Sequence, residues 1–163
     1  MKLMLIRGLL ENYKYMEAEK TKANKIALAV DVAIFNSTYQ VLLGKRLNSA
    51  GHGTWSFPGG HILDEEEIMA AAHREIKEEL GNNLEVKILN KIIAVRDNCL
   101  PPQFVRHITI ILEGEYIQGD AIVNEPDKCE EWKWFDINAL PSPLFPGTND
   151  ILENYVKKIS SVT

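Results

Sequence analysis

The spacing of hydrophobic positions changes character near residue 25. Before it, Leu3, Ile6, Leu10 and Tyr13 recur at helical spacing with charges in the gaps. That pattern predicts a short amphipathic helix, followed by the charged connector Glu17-Ala18-Glu19-Lys20-Thr21-Lys22. This leader, residues 1–24, is either a docking or homodimer arm or a helix packed on its own domain, and Met16 offers an internal start. From Lys25 to residue 163 the chain reads as one catalytic-sized domain. Ile26, Leu28, Val30, Val32 and Ile34 alternate with small residues, Asn36-Ser37-Thr38 supplies a turn, and Tyr39 to Leu43 returns as a second strand. Asn48 to Gly53 is a loop, and Trp55 to Phe57 is a short apolar run that stops at Pro58-Gly59-Gly60. That stop is an ordinary turn or a place where backbone approaches a ligand closely.

The period then becomes helical. A helix is expected from Glu65 to Leu80, with Asp64 as N-cap, Glu67 as its capping partner and Gly81 as its stop. Strands are expected over 84–96, 104–116 and Trp132 to Phe135, a helical turn over Ile137 to Leu140, and a last helix from near Asn149. The central strands follow one another with no helix between them. That favours an α+β domain with a mixed sheet over a doubly wound parallel one. Neither a G-x-G-x-x-G nor a phosphate-loop motif is present.

Composition narrows the function. With 163 residues, 45% of them apolar, the chain can bury a core. Twenty-three acids against 18 bases give a net charge of −5, which argues against a nucleic-acid polymer as partner. A small anionic substrate would need a cation to mediate its binding. Cys99 and Cys129 are too few for a disulfide framework and match no zinc spacing, so a reducing cytoplasm is the simplest setting. No apolar run reaches the roughly 18 residues of a membrane span, and Arg7 and Glu11 break the apolar start, so neither membrane nor secretion is expected.

The predicted helix carries its acids in the wrong place for a solvated face. With Ile68 at zero on a wheel of about 100° per residue, Ala72, Ile76 and Leu80 form an apolar stripe at about 40°, 80° and 120°. Glu75 and Glu79 fall at about −20° and 20°, beside that stripe, and Glu78 at about −80°. Clustered carboxylates repel and resist desolvation, and a hard divalent cation such as Mg²⁺ or Mn²⁺ offsets both effects. The plain alternative is an acidic surface with Arg74 bridging to Glu78 at i,i+4.

The order Gly60, five residues, Glu66, seven residues, Arg74-Glu75-Ile76, one residue, Glu78-Glu79, one residue, Gly81 resembles the Nudix box of MutT-type hydrolases. Asn82 departs from it, standing where the family has an aliphatic residue. The segments Val41 to Arg46, Trp55 to His61, His107 to Ile110, and Glu125 to Glu130 with Trp132 and Trp134 resemble the branch of nucleoside triphosphate diphosphatases typified by MutT homologue 2. The resemblance runs from about residue 25 to 150. It implies a Nudix fold, an α/β/α sandwich with a loop-helix-loop motif at residues 60–82. It also implies Mg²⁺-dependent hydrolysis of a nucleoside diphosphate linked to another group. Glu75 and Glu79 would be metal ligands, Glu78 a third ligand or the base, and Arg74 would orient the carboxylates. Glu66 is expected to be structural, and His61 and His73 non-catalytic.

For the substrate, Arg46 is a candidate phosphate contact, and Gly59 and Gly60 allow close backbone approach. Phe57, Thr109 and the segment Phe145, Gly147 and Thr148 are candidates for the base pocket, each with an alternative reading as core or loop. The expected activity is hydrolysis of ordinary and modified nucleoside triphosphates to monophosphate and pyrophosphate. The alternatives are a nucleotide sugar, ADP-ribose or a dinucleoside polyphosphate as substrate, or a catalytically silent nucleotide-binding module.

Overall fold

The computed structural model of the chain describes residues 26–47, 50–100 and 105–160; the predicted leader helix lies outside them. The strands are β1 (Ile26–Phe35), β2 (Gln40–Arg46), β3 (Trp55–Ser56), β4 (Gly59–His61), β5 (Glu85–Leu100), β6 (Val105–Gln118) and β7 (Cys129–Asp136). The helices are α1 (Ile68–Leu80) and α2 (Thr148–Ser160).

All seven strands form one mixed sheet in the order β3-β2-β1-β6-β5, with β4 also on β1 and β7 on β2. β1 runs parallel to β6 along its whole length. Its other edge changes partner, pairing with β4 at Ala29 to Asp31 and with β2 at Phe35. The period-two pattern of β1 sorts its side chains onto two faces. Val30, Val32 and Ile34 pack with Leu42, Leu112 and the Ala72, Ile76 and Leu80 side of α1. Ala33 packs on the other face with Val41, Leu43, Trp55, Phe57, Ile111 and Leu152 of α2. This is the α/β/α sandwich the sequence predicts.

Two local expectations fail, and one of the two readings of the glycine pair is excluded. Helix α1 begins at Ile68, not Glu65, and its N-cap residue Glu67 makes no side-chain capping bond. Glu65 sits at φ 64, outside the right-handed helical region, and the Glu66 carboxylate accepts from the Leu63 N–H at 3.0 Å instead of entering a helical turn. Gly59 and Gly60 are not a turn but strand β4, opposite Asp31 and Val30. Gly59 takes φ 148, and a Cβ there would lie 2.2 Å from the Val30 carbonyl oxygen, so the strand can sit this close only without a side chain. Residues 137–140 form no helix; the Asp136 carboxylate accepts from the Asn138 N–H at 2.8 Å and holds an isolated turn. Gly81 does stop α1, at φ 80. Among the described residues no helix is long and apolar enough to cross a membrane.

Ile68, the wheel's reference point, is 38% exposed, whereas Leu80 is fully buried. Leu80→Ala should therefore cost about 2–5 kcal/mol of unfolding free energy. Ile68→Ser should cost no more than about 0.5 kcal/mol. Urea denaturation of both variants checks the docking of α1, and similar losses at the two sites would contradict it.

Candidate active site

One guanidinium organises the start of the site. Arg74, on the second turn of α1, donates from Nε to Glu66 Oε1 at 2.8 Å and from Nη2 to Glu66 Oε2 and the His61 carbonyl, each at 2.9 Å. Its Nη1 reaches Glu75 at 2.7 Å and Glu78 at 3.1 Å. The paired arginine and the Leu63 N–H hold the Glu66 carboxyl down at about 2. The same bonds, first to Glu66 and then to Glu75, push the Arg74 guanidinium upward. Glu66 thus has the structural place expected for it. The plain reading of an Arg74–Glu78 bridge is also present, and Glu78 is exposed to solvent.

Glu75 and Glu79 differ from Glu78. Glu75 is buried, as its place on the wheel requires. Its carboxylate fills the space over Gly60, where a Cβ would come within 2.5 Å of it. Glu79 accepts from the Gly59 N–H at 2.9 Å. Burial pushes the Glu79 carboxyl up to about 8, and the negative charges of Glu75, Asp31 and Glu125 push the same way. Both glycines therefore serve carboxylates of α1, one through its backbone donor and one through its missing side chain.

On the α2 face, Arg46 donates from Nε to the Ala50 carbonyl at 3.0 Å, and its guanidinium lies 4.7 Å from the centre of the Phe145 ring. Burial lowers its pKa, and Asp31 and Glu79 oppose that effect. A cleft of about 20 Å³ lies among Arg46, Ser56, Phe57, Glu79 and Lys128, roughly the space of one water molecule. Thr109 is buried in β6, directly across from Arg96 of β5. Gly147 and Thr148 open α2, and the Gly147 backbone flanks Arg96. Phe57 is packed into the core beside Trp55, and Phe145 is buried with the guanidinium groups of Arg46 and Arg96 within 5 Å of its ring centre. Neither ring is an open wall on which a base could stack.

The structure adds residues to which the sequence reading gave no place in the site. Asp31 is buried in β1 and bound to Arg96 at 2.7 Å, with burial raising its pKa against the pull of that arginine. Glu125 and its partner Lys128 stand near Glu79. Each of the buried pair had a sequence signal. Asp31 is a lone acid inside an apolar strand, and Arg96 ends the apolar run Ile92 to Val95. His61 and His107 form a tilted ring pair 5.4 Å apart.

The NUDIX domain family matches residues 25–155, four-fifths of the chain. The chain belongs to this family. It is 28% identical over 141 residues to an RNA pyrophosphohydrolase of Bartonella bacilliformis, covering 69% of this chain and 79% of that protein. It is 34% identical over 128 residues to an isopentenyl-diphosphate Delta-isomerase of Aromatoleum aromaticum, covering 76% and 70%. The crystal structure of a MutT NUDIX hydrolase from Burkholderia pseudomallei matches with a TM-score of 0.70 at 28% identity, covering 80% of this chain and 98% of that one. The stretch 60–82 that resembles the Nudix box lies within the matched residues.

Nudix proteins generally use a divalent cation. Among the described residues no three Asp, Glu, His or Cys side chains converge into a ready-made cage. Mg²⁺ does not require one, since it keeps several waters and is held through one or two carboxylates together with substrate phosphates. The residues present fit that mode. Glu79 is a hard oxygen donor whose negative charge no cationic side chain of the box compensates, and buried Glu75 lies close enough to repel it.

The raised pKa of Glu79 sets a pH dependence for the metal-free protein. A carboxyl raised to about 8 in the fold binds a proton that the unfolded chain releases near 4.5. Its contribution to stability is full below about 4.5 and is lost as pH rises toward 8. In chelator, the melting temperature should fall across that window, and Glu79→Gln should flatten the fall. An unchanged slope in Glu79→Gln would contradict the burial assigned to this carboxyl.

Proposed function

We propose that this chain hydrolyses a phosphoanhydride bond of nucleoside triphosphates, ordinary and modified, releasing nucleoside monophosphate and pyrophosphate. The observation that carries the reading is Glu79, a half-buried carboxylate held by the Gly59 N–H and repelled by Glu75 and Asp31. Such a group is stable as an anion only when a cation joins it. Glu79 and Glu75 would hold Mg²⁺, which supplies polarisation of phosphoryl oxygens and activation of water when bound. Glu78 is exposed and shares the Nη1 of Arg74 with Glu75, and it would be a third ligand or take a proton from water. Arg74 holds Glu75 and Glu78 in position by charge-assisted bonds. Arg46, half-buried and in the field of Asp31 and Glu79, is the cation placed to meet a phosphate. Most of the rate enhancement would then come from positioning and charge stabilisation.

The relatives support the use of a diphosphate-containing substrate but differ in reaction, so the test is a panel. Purified protein with Mg²⁺ is given nucleoside triphosphates, ADP-ribose, a nucleotide sugar, 5′-triphosphorylated RNA and isopentenyl diphosphate, with phosphate and pyrophosphate release read separately. Nucleoside triphosphates should give pyrophosphate at the highest kcat/KM. Faster turnover of any other member replaces the substrate assignment.

Variants of the box test the division of labour within it. Glu79→Gln should remove most turnover while leaving the protein folded. Arg74→Lys, which keeps the charge but loses the fork, should lower kcat/KM by about 10–100-fold and raise the Mg²⁺ concentration needed for half-maximal rate. Wild-type Mg²⁺ dependence in Arg74→Lys would remove Arg74 from its positioning role.

A further inference from the structure

Helix α1 covers only part of its face of the sheet. It packs on Val30, Val32 and Ile34, the later half of β1. Ile26 and Leu28 lie on the same face by the two-residue period of the strand. The apolar surface continues onto the neighbouring strands. Leu28 stands opposite Ile108 of β6, Ile110 stands opposite Val95 of β5, and Ile92 of β5 stands opposite Leu112. Ile26, Leu28, Ile92 and Val95 are each between 51% and 60% exposed. Single exposed aliphatic side chains are ordinary. Four on one face of three adjacent strands, joined through half-buried Ile108 and Ile110, form a patch of the kind that another surface covers.

The chain itself supplies a cover of matching shape and charge. β1 begins at Ile26, so residues 1–25 enter the domain at the edge of the patch. In that segment Leu3, Ile6, Leu10 and Tyr13 fall within about 80° of one another on a helical wheel. A helix over residues 3–13 would be about 16 Å long, and residues 14–25 reach up to about 40 Å when extended. β6 alone separates β1 from β5, so the patch is only about 10 Å across from strand to strand. The connector is therefore long enough to turn the helix back over it. Residues 1–25 carry six bases and three acids, whereas residues 26–163 carry 12 bases and 20 acids. With Leu3 at zero, Arg7 and Lys14 flank the apolar stripe at about 40° and 20°. Asp64, Glu65 and Glu67, all exposed, lie in the loop that meets β1 where the Ile62 N–H donates to the Leu28 carbonyl at 3.0 Å.

We propose that residues 3–13 dock as an amphipathic helix on the patch formed by Ile26, Leu28, Ile92 and Val95, beside α1. The helix completes the layer that α1 leaves partial, burying one apolar stripe against another. Its basic flank lies toward an acidic domain. A segment tethered at Ile26 has an effective concentration on the order of millimolar, so it occupies the patch ahead of a second copy of the chain at micromolar protein. The docking is independent of which phosphate compound the enzyme cleaves.

Hydrogen–deuterium exchange of the full-length protein gives the test. Amides of residues 3–13 should exchange at least about tenfold more slowly than in an unstructured peptide. Ile6→Ser with Leu10→Ser leaves the sequence of the domain intact. It should remove that protection and speed exchange in peptides covering residues 26–29 and 91–97. Ile92→Ser with Val95→Ser should release the leader in the reciprocal way, and Leu28→Ser takes its place if that pair lowers the melting temperature. A leader that exchanges as fast as an unstructured peptide overturns the proposal. Protection that survives the patch substitutions also overturns it, because the leader then docks elsewhere. So does protection that is lost on dilution together with a fall in mass by light scattering, because a second copy then covers the patch.

Discussion

The site depends on an imbalance of charge around a single guanidinium. Four box carboxylates, Glu66, Glu75, Glu78 and Glu79, crowd one helix and the loop before it, and Arg74 binds three of them. The fork is used completely, since its remaining bond goes to the His61 carbonyl of β4. It therefore ties the loop, the helix and the glycine strand into one unit. Among the described residues Glu79 receives a backbone donor and no side-chain one, so the uncompensated charge is concentrated at one carboxylate. That is where a cation lowers the free energy most.

The two glycines follow from the same constraint. Pairing with β1 brings β4 to within contact of Val30 and Asp31 on one side and of α1 on the other. A side chain at residue 59 would strike the β1 backbone, and one at residue 60 would displace the Glu75 carboxylate. The strand is held by what it lacks. It is also why the two glycines of a Pro-Gly-Gly sequence that signals a turn by composition are in a strand here, with tertiary contact overriding local propensity.

How much the sequence showed depends on how far apart the cooperating residues stand in the chain. The carboxylate half of the site lies within residues 59–81, and one helical period places Glu75 and Glu79 beside the apolar stripe. That half was legible, as were the strand sequence and the sandwich. The helix start was not, because Glu65 takes a left-handed conformation and Glu66 is held by Arg74 and the Leu63 N–H, so the helix begins only at Ile68. Asp31, Arg96, Thr109 and Gly147 come from β1, β5, β6 and the turn before α2. No period links them, and only strand register and the packing of α2 bring them together. Phe57 and Phe145 had two readings, pocket wall or core, which the sequence did not separate for the same reason. An aromatic residue looks alike in sequence whether its ring faces a ligand or two arginines and the core.

β1 joins these two halves. One of its faces supplies Val30, Val32 and Ile34 to the packing that seats α1, and the other carries Asp31 toward Arg96. Asp31 is the one acid in the ten-residue strand, and it lies between a cationic neighbour on the α2 side and the carboxylates of α1. An apolar residue there would leave Arg96 buried without a counter-charge. A longer acid would crowd the space over Gly59, where even a Cβ would lie 2.7 Å from Asp31 Oδ1. The strand that seats α1 and the buried arginine on the α2 face thus meet at one short carboxylate, and Asp31 cannot change without unpairing Arg96 on one side or crowding Gly59 on the other.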